Sequence, residues 1–295
     1  MQQRPLISIV IPTYNRARDL HRALKSVKAQ TFNNWEALIV DNHSTDNTEE
    51  VVVGFNDQRV KFFRINNDGV IAVSRNFGVH KAAGEYIAFL DSDDWWKPKK
   101  LEESLKYLEK GEDIVFHELF LATKQGQSIF WRRAQSRDLK SPIFDDLVKN
   151  GNALPNSSVV VRLSVINRVN GFSEDRNLIA IEDYDCWLRI AQITEKFKRI
   201  PKPLGFYWFG GNNISGPERT LKTMSALEGY YANTTSKTEY DTRNYLHSYI
   251  KGRAEYKLKL YNEAKKNLEL ISWGKVPFWI YLKARWMLWV SNIYC

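Results

Sequence analysis

Short apolar runs alternate with longer amphipathic segments through the first 91 residues, and this alternation restricts the possible folds more than any other feature. The predicted elements, strand and helix in turn, are 6–11, 19–30, 36–40, 48–55, 60–65, 72–82 and 86–90. Strands that alternate with helices at this spacing form a parallel sheet with helices on both faces. We therefore predict an α/β fold for this part of the chain.

Polar residues follow several of the predicted strands at the point where each strand ends. They are Thr13, Asn15, Asp41, Asp68, Asp91 and Asp93. Ligands of open α/β sheets bind beyond the carboxyl ends of the strands, so we expect a ligand site at this edge. The first turn, Pro12–Arg16, contains no glycine, and the chain has no P-loop. A nucleotide bound here is therefore expected to have its diphosphate held by a metal rather than by a glycine-rich cradle.

The segment Gly84–Asp94 is the most informative single stretch of the chain. Its apolar run Tyr86–Leu90 predicts a buried strand, and three carboxylates follow within four residues. Like charges at the end of a strand repel each other unless a cation lies between them. Asp91 and Asp93 could therefore hold one Mg²⁺ or Mn²⁺ against a diphosphate. The alternative is a solvated acidic turn that caps the next helix, because Asp is common at helix starts.

Length and composition fit a folded protein with one large α/β domain and an appendage, or with two modest domains. Of the 295 residues, 43% are hydrophobic and 26% are charged, which is ordinary for a folded protein. The two cysteines, Cys186 and Cys295, argue against a disulfide framework or a Cys-based zinc site and suit a reducing cytosol. No signal peptide is expected, and no run reaches the roughly 20 apolar residues of a membrane span.

Nine blocks of sequence, taken together and in order, resemble a known family. The blocks are Ser8–Arg16, Gln30–Phe32, Val40–Asn42, Ser44–Thr48, Asn67–Gly69, Ser74–Gly78, Gly84–Asp94, Gly171–Phe172 and Glu182–Arg189. No single block is decisive, but the ordered series is specific and covers roughly residues 6–215. The family that it resembles is that of the nucleotide-sugar glycosyltransferases of family 2, which have the GT-A fold.

The resemblance implies both a fold class and a reaction. The fold would be α/β of the GT-A type, with a mixed, mostly parallel nucleotide-binding sheet flanked by helices. The reaction would be an inverting, metal-dependent transfer of a sugar from a nucleoside diphosphate sugar to an acceptor hydroxyl. The residues that would bind the donor nucleotide are Pro12, Thr13, Tyr14, Asn15, Arg16, Asp41, Asn42, Asp68, Arg75, Asp91 and Ser92.

The resemblance also assigns the metal ligands and the catalytic base. Asp91 and Asp93 would hold Mn²⁺ or Mg²⁺ on the diphosphate, and Asp183 would be the general base. A positioned carboxylate that takes the proton of the acceptor contributes about 10²- to 10⁴-fold to the rate. Burial or neighbouring acids would raise the pKa of Asp183 toward the working range. Glu182 and Asp183 could, instead or as well, favour the dipole at a helix N-terminus.

Three further residues are candidates for contact with the donor sugar or the acceptor, namely Trp95, Trp96 and Glu182. Trp rings suit the C–H surfaces of sugars, yet large aromatic side chains more often pack in a core. We expect one of the two tryptophans to pack and the other to lie near the donor or acceptor. The sequence does not decide which of the two has which role.

Two segments depart from the pattern of the family. Many relatives have Asp-Asp after the second strand, where this chain has Asp41-Asn42. Asn42 could still pair with N3–H and O4 of uracil, and the base preference stays open. In the segment 207–215, Trp208 and Gly210 stand where relatives often have Arg and His, so an extra phosphate or metal contact is not carried over. The glycines of this segment predict a closing lid.

The chain changes character after residue 217, so we predict a catalytic domain over 1–217 and a helical, basic and aromatic C-terminal region over 218–295. This region has 13 Lys and Arg against 7 Asp and Glu, and carries +6 of the net charge of +9. Two helices are predicted within 245–270. The aromatic segment 276–290 is too short and too charged to span a bilayer. Aromatic and basic residues together favour peripheral contact with a membrane; packing on the catalytic domain or on a second subunit is the alternative.

These expectations combine into one functional hypothesis. The chain is predicted to be a glycosyltransferase with a UDP-hexose donor and a glycan or lipid-linked glycan acceptor, in lipopolysaccharide, capsule or O-antigen synthesis. It would work in the cytoplasm at the inner face of the cytoplasmic membrane, and a homodimer is possible. A sugar-nucleotide nucleotidyltransferase and a catalytically inactive sugar-nucleotide-binding or scaffold protein are the alternatives. Nucleic acid is not an expected partner, because no recognised nucleic-acid motif is found.

Overall fold

Nine β-strands form one mixed sheet in the computed structural model, which describes residues 6–123, 128–134, 136–210, 216–231 and 237–294. The strands are β1 (Ile7–Thr13), β2 (Trp35–Asp41), β3 (Val60–Arg64), β4 (Tyr86–Phe89), β5 (Trp95–Trp96), β6 (Ile114–Ala122), β7 (Ser128–Ala134), β8 (Val160–Arg162) and β9 (Phe197–Trp208). Their order is β3-β2-β1-β4-β8-β6-β9-β5, and β7 pairs with β6. The pairs among β1 to β4 are parallel, whereas β8 is antiparallel to β4 and β6.

Helices connect the strands and continue beyond them. They are α1 (Ala17–Lys28), α2 (Thr48–Gly54), α3 (Ile71–Lys81), α4 (Lys100–Leu108), α5 (Ile143–Asn150), α6 (Leu163–Arg168), α7 (Glu182–Ala191), α8 (Pro217–Tyr231), α9 (Lys237–Lys257), α10 (Tyr261–Glu269) and α11 (Phe278–Tyr294). The four strands and three helices predicted in the first 91 residues are present as β1–β4 and α1–α3. The predicted parallel α/β arrangement is confirmed for this part of the chain.

Residue contacts divide the chain into two units. The first unit, Met1–Phe144, Asn152–Glu174 and Glu182–Gly211, contains the sheet. The second unit consists of Asp145–Gly151, Asp175–Ile181 and Asn212–Cys295. It therefore includes two short segments that interrupt the first unit in sequence. The predicted domain boundary between residues 217 and 218 stays a prediction.

The centre of the sheet is apolar on both faces. Strands β1, β2 and β4 are buried along their whole length. A strand that is covered on both faces has a nearly continuous apolar sequence instead of an alternating one. The core around these strands includes Ile7, Ile9, Ile11, Leu20, Leu24, Ala37, Ile39, Ala88 and Leu101. This packing fixes where each strand ends, and so fixes the positions of the polar residues that follow.

A buried carboxylate joins strands β1, β2 and β3 at the amino edge of the sheet, where these strands begin. Glu36 accepts hydrogen bonds from Ser8 Oγ at 2.6 Å and from the Ala83 N–H at 2.8 Å, and pairs with Lys61 Nζ at 2.7 Å. Burial alone would raise the pKa of Glu36, but these partners lower it below its ordinary value. The Gly84 N–H donates in turn to Ser8 Oγ at 2.9 Å. The amino edge of the sheet is therefore closed by fully partnered polar groups.

The second unit has a small apolar core of its own. It is formed by Tyr249, Ala264, Leu268, Ile271, Ile280, Ala284, Met287 and Leu288. Helices α9 and α10 confirm the two helices predicted within 245–270. They approach closely at Gly252, where a Cβ atom would lie 2.8 Å from Leu268 Cγ. None of the helices in the described ranges is long and apolar enough to cross a membrane.

The close approach at Gly84 gives a test of the amino edge. A Cβ atom at Gly84 would lie 2.7 Å from the backbone nitrogen of Ser8, so β1 and β4 would have to separate. We expect Gly84→Ala to lower the free energy of unfolding by about 1–3 kcal/mol, as overpacking does. Chemical denaturation monitored by circular dichroism measures the change.

Gly54, at the end of α2, supplies the matched control. A Cβ atom there would meet nothing within 4 Å. Gly54→Ala should therefore stabilise the protein by about 0.5–1 kcal/mol through the reduced backbone freedom of the unfolded chain. Equal effects of the two substitutions would contradict the packing described for Gly84.

Candidate active site

A buried arginine at the carboxyl edge of the sheet joins two of the predicted site residues. Arg75, on α3, donates from Nη1 to Glu182 Oε1 at 2.5 Å and from Nη2 to Asp91 Oδ1 at 2.8 Å. Its side chain is only 4% exposed. Charge-assisted hydrogen bonds of this kind are strong and directional. Arg75 therefore fixes the start of α7 relative to the loop that follows β4.

A short 3₁₀ helix, Asn156–Ser158, supports Asp91 from another side. Asn156 Nδ2 donates to Asp91 Oδ1 at 3.1 Å, and the Asp91 N–H donates to Ser157 Oγ at 3.0 Å. In the described part of the chain both side-chain bonds to Asp91 use the same carboxylate oxygen, Oδ1. The other oxygen, Oδ2, is the one that a ligand or a metal could use.

Two arginines surround Asp93. Arg16 Nη1 lies 3.4 Å from the carboxylate of Asp93, and Arg22 Nη2 donates to its backbone carbonyl at 2.7 Å. Asp19 pairs with both arginines, at 3.3 Å and 3.0 Å. Burial and the charge of Asp91 raise the pKa of Asp93 to about 6, against the opposite effect of Arg16. Negative charge is therefore crowded at this position and only partly neutralised.

The loop after β4, which contains Asp91, Asp93 and Asp94, is called the acidic loop below. Its third carboxylate, Asp94, has a different environment. It is almost fully buried, and its Oδ1 accepts the Trp208 N–H at 2.8 Å. Burial, with the charges of Asp93 and Asp91, raises the pKa of Asp94 well above its ordinary value. Burial, with the charges of these three carboxylates, also raises the pKa of Tyr207. Asp94 therefore connects the loop to the end of β9.

The two tryptophans after the acidic loop have separate roles. Trp96 is buried, and its Nε1 donates to the carbonyl of Ser157 at 2.7 Å, so it is the one that packs. Trp95 is half-buried and stacks on Phe206, with 5.0 Å between ring centroids. The guanidinium of Arg22 lies over the rings of Trp95 and Trp208, at 4.2 Å and 4.9 Å from their centroids. Contact of Trp95 with a sugar stays a prediction.

Asp183 lies in the first turn of α7, beside Glu182. It is half-buried; its Oδ1 accepts the Tyr184 N–H at 2.7 Å, and Asn152 Nδ2 lies 3.5 Å from Oδ2. Burial and the charge of Glu182 raise the pKa of Asp183 to about 7, although Arg75 acts in the opposite direction. A carboxylate with a pKa near the working pH meets the electrostatic requirement for a general base.

The turns after β1 and β2 are joined by hydrogen bonds. Asn15 has a left-handed backbone (φ 49°), which Asn tolerates better than most residues. Its N–H donates to Ser44 Oγ at 2.8 Å, and its side-chain oxygen accepts the Thr45 N–H at 2.7 Å. The Ala17 N–H donates to Asp46 at 3.0 Å. The two turns thus form one connected surface at the carboxyl edge.

Asp41 and Asn42 shape these turns from within. Asp41 is fully buried and accepts hydrogen bonds from the backbone and hydroxyl of Ser44 and from Arg64. Asn42 accepts the Asn67 N–H at 2.9 Å. Both residues therefore hold the turns together through their side-chain oxygens. The predicted nucleotide contacts of both residues stay predictions.

The remaining predicted residues occupy varied positions. Pro12, Thr13 and Ser92 are buried, whereas Tyr14 is exposed beside them. Asp68 lies on the exposed turn after β3, with Asn66 Nδ2 at 2.9 Å. The segment predicted as a lid, 207–215, is described only as far as Gly210, and residues 211–215 lie outside the described residues.

The donor set of the acidic loop fits a divalent cation. Among the described residues, no three His, Cys, Asp or Glu side chains are grouped as an all-protein metal site. Mg²⁺, however, is usually held by one or two carboxylates together with substrate phosphates. Asp91 and Asp93 are two such carboxylates. Burial, and next the charge of Asp91, raise the pKa of Asp93, and a bound cation would offset both effects.

Sequence reasoning missed three residues of this arrangement, namely Arg22, Asn156 and Ser157. Each acts through a partner more than 60 positions away in the chain, so local spacing gives no signal for it. The sequence shows the carboxylates that follow β4, but it does not show which residues form hydrogen bonds with them.

Comparison with known proteins identifies the class to which this fold and site belong. Residues 8–197 match the family model described as "Glycosyl transferase family 2". An uncharacterized glycosyltransferase from Nostoc sp. is 30% identical over 251 residues, which are 83% of this chain and 75% of the relative. The chain therefore belongs to glycosyl transferase family 2.

Other relatives carry more specific names or are much longer. WcaA from Escherichia coli, named for colanic acid biosynthesis, is 34% identical over 200 residues, 65% of this chain and 68% of that protein. An uncharacterized glycosyltransferase from Rickettsia conorii is 34% identical over 193 residues, or 63% of this chain. This chain spans only 30% of the length of that relative.

Solved structures confirm the fold. TarS from S. aureus has a TM-score of 0.67 and 17% identity, and the match covers 98% of this chain and 53% of TarS. The 1–349 fragment of TarS in complex with UDP-GlcNAc has a TM-score of 0.63. A mannosyltransferase from Pyrobaculum calidifontis, in complex with GDP-Man and Mn²⁺, has a TM-score of 0.59. The predicted GT-A fold class is confirmed.

The ion pairs of Arg75 can be tested by removing the cation. Arg75→Met would remove the cation that lies against the buried carboxylate of Glu182 and against Asp91, and we expect a loss of about 3–5 kcal/mol in the free energy of unfolding. Adding Glu182→Gln to this variant should restore part of the loss, because it removes one of the two negative charges that Arg75 balances in the wild type. Urea denaturation of the two variants and the wild type gives both values.

An exposed ion pair provides the control for Arg75. Lys106 pairs with Glu102 and Glu103 on α4, and its side chain is half exposed. Lys106→Met should cost at most about 1 kcal/mol. If Arg75→Met cost no more than Lys106→Met, the central role of Arg75 would be wrong.

Proposed function

We propose that this protein is an inverting glycosyltransferase that moves a hexose from a UDP-sugar to a hydroxyl of a glycan acceptor. The observation that carries the proposal is the juxtaposition, through Arg75, of the acidic loop at Asp91 and the carboxylate pair at the start of α7. The acidic loop suits the binding, through a cation, of a charged leaving group. The carboxylate pair at the start of α7 suits the removal of a proton from an acceptor.

The leaving nucleoside diphosphate gains negative charge as its bond to the sugar breaks. A divalent cation held by Asp91 and Asp93 would stabilise that charge when bound. Arg16, 3.4 Å from Asp93, lies beside the same region and can contribute positive charge toward phosphate oxygens. The joined turns around Asn15 and Ser44 would receive the base and ribose. UDP is favoured because TarS, which shares the fold, has been determined with UDP-GlcNAc.

The acceptor hydroxyl becomes a competent nucleophile only when its proton is removed. Asp183 would take that proton, since its pKa of about 7 lets the carboxylate be ionised near neutral pH while it remains basic. Glu182 is bonded to Arg75 and would position the first turn of α7, which contains Asp183, rather than react. Attack from the side opposite the leaving group would invert the anomeric centre.

The acceptor is proposed to be a lipid-linked glycan of surface polysaccharide synthesis, in lipopolysaccharide, capsule or O-antigen production. The support for surface polysaccharide synthesis is the name of the relative WcaA, a putative colanic acid biosynthesis glycosyl transferase, and the lipid-linked acceptor is proposed from the sequence. The reaction would then take place in the cytoplasm, at the inner face of the cytoplasmic membrane. A homodimer remains a proposal that rests on the sequence alone. An inactive sugar-nucleotide-binding protein is the alternative, and activity decides between them.

Donor and metal can be tested together. We expect one donor, a UDP-hexose, to be hydrolysed or transferred selectively from a panel of UDP-, dTDP- and GDP-sugars, with Mn²⁺ or Mg²⁺ and not with EDTA. Asp93→Asn should abolish this metal-dependent turnover, because it removes a metal ligand. Asp138→Asn, on an exposed residue paired with Arg199, is the control and should keep full activity. Binding of no donor, with or without metal, would refute the transferase proposal.

The role of Asp183 predicts a specific kinetic pattern. Asp183→Asn should lower kcat by about 10²- to 10⁴-fold with little change in donor affinity. For the wild type, kcat/KM should rise with pH and level off above about 7, because the free enzyme needs Asp183 deprotonated. Stopped assays across pH measure this profile. A variant that keeps the wild-type kcat would show that another group is the base.

A further inference from the structure

We infer that helix α11 lies flat on an anionic membrane surface, with one long face turned into the headgroup region. This face is called the aromatic face below. It consists of Phe278, Trp279, Leu282, Trp286, Trp289 and Ile293. The inference does not depend on the proposed transfer reaction.

The helix already has a buried side that anchors it to the second unit. Ile280, Ala284, Met287 and Leu288 belong to the apolar core of that unit. An ordinary surface helix would carry polar residues on its other side. Here the other side is apolar as well, so the core does not account for it.

The aromatic face is continuous along the helix. From Trp279 onward its members recur at intervals of three or four residues, the spacing that places side chains one above another on an α-helix, and Phe278 lies four residues before Leu282. Each is between 47% and 63% exposed. At about 150–250 Å² for an aromatic side chain, the three tryptophans alone expose several hundred Å² of largely apolar surface. A patch of that size on a folded protein marks an interaction site.

Basic residues border this face and acidic residues are absent from it. Lys283 and Arg285 lie on either side of the aromatic stripe by helical spacing, and Lys275 precedes the helix. The sequence after Glu269 contains no Asp or Glu. Lys283 Nζ lies 5.1 Å from the ring centroid of Trp279, with its charged end beside the aromatic surface. Aromatic rings bordered by Lys and Arg are the pattern of a helix at a bilayer surface that contains anionic lipid.

A second copy of the chain is a poorer occupant. A two-fold contact places the same patch on both partners, so two patches with the same basic borders would face each other. No acidic residue after Glu269 is available to compensate. Spanning the membrane is also excluded for α11, because no described helix is long and apolar enough. An interfacial position satisfies both the apolar stripe and its basic borders.

The test is vesicle binding by the full chain without any sugar nucleotide. Co-sedimentation with vesicles of phosphatidylcholine and phosphatidylglycerol is compared with vesicles of phosphatidylcholine alone. We expect strong binding to the anionic vesicles that weakens with added salt, and weak binding to the neutral ones. The double variant Leu282→Gln/Trp289→Gln should bind on the order of tenfold more weakly or worse. The pair Lys275→Gln/Lys283→Gln should lose about fivefold per lysine on anionic vesicles only.

Val53→Gln is the matched control, since Val53 is 71% exposed on α2 and outside the aromatic face. It should bind vesicles like the wild type. Thermal unfolding of each variant confirms that it is folded. Absence of vesicle binding in the wild type would overturn the inference, as would equal binding to neutral vesicles. A dimer in analytical ultracentrifugation that Leu282→Gln/Trp289→Gln dissociates, without lipid binding, would assign the face to a second copy instead.

Discussion

The buried guanidinium of Arg75 is the interaction on which the candidate site depends. It contacts Asp91 and Glu182, which lie 16 and 107 positions away in the chain. Burial of a charge is costly unless its partners compensate, and here two carboxylates do so with short hydrogen bonds. This cost favours one specific geometry, because a displacement of α3, of the acidic loop or of α7 would lengthen the hydrogen bonds that compensate the charge of Arg75.

The three carboxylates of the acidic loop have three different environments, although they lie within four residues of each other. Asp91 is held by Arg75 and Asn156, Asp93 lies between two arginines, and Asp94 is buried against the backbone of β9. The differences come from the elements that reach each residue, and not from the residues themselves. Asp94 therefore connects the loop to the sheet, whereas Asp91 and Asp93 are the two carboxylates proposed to face a ligand.

The sequence predicted the first half of the sheet better than the second. Strands β1 to β4 follow one another with intervening helices, so apolar alternation reveals them and their parallel pairing. By contrast, β6 pairs in parallel with β9, which begins more than 80 residues after the start of β6, and β5 has only two residues. Such pairings depend on tertiary packing. Asp183 is predicted because it belongs to a local sequence motif. Arg22 is not predicted, because its contacts with Asp93, Trp95 and Trp208 also depend on tertiary packing.

The contacts of Arg22 also have an optical consequence. Its guanidinium lies over the rings of Trp95 and Trp208 while it donates to the backbone of Asp93, and the backbone N–H of Trp208 donates to Asp94. The emission of an indole depends on the charges near its ring. Two tryptophans are thus coupled directly to the charge state of the acidic loop. Two of the ten tryptophans of the chain are therefore expected to change their emission when a ligand binds at this loop, and intrinsic fluorescence can follow that binding without an attached dye.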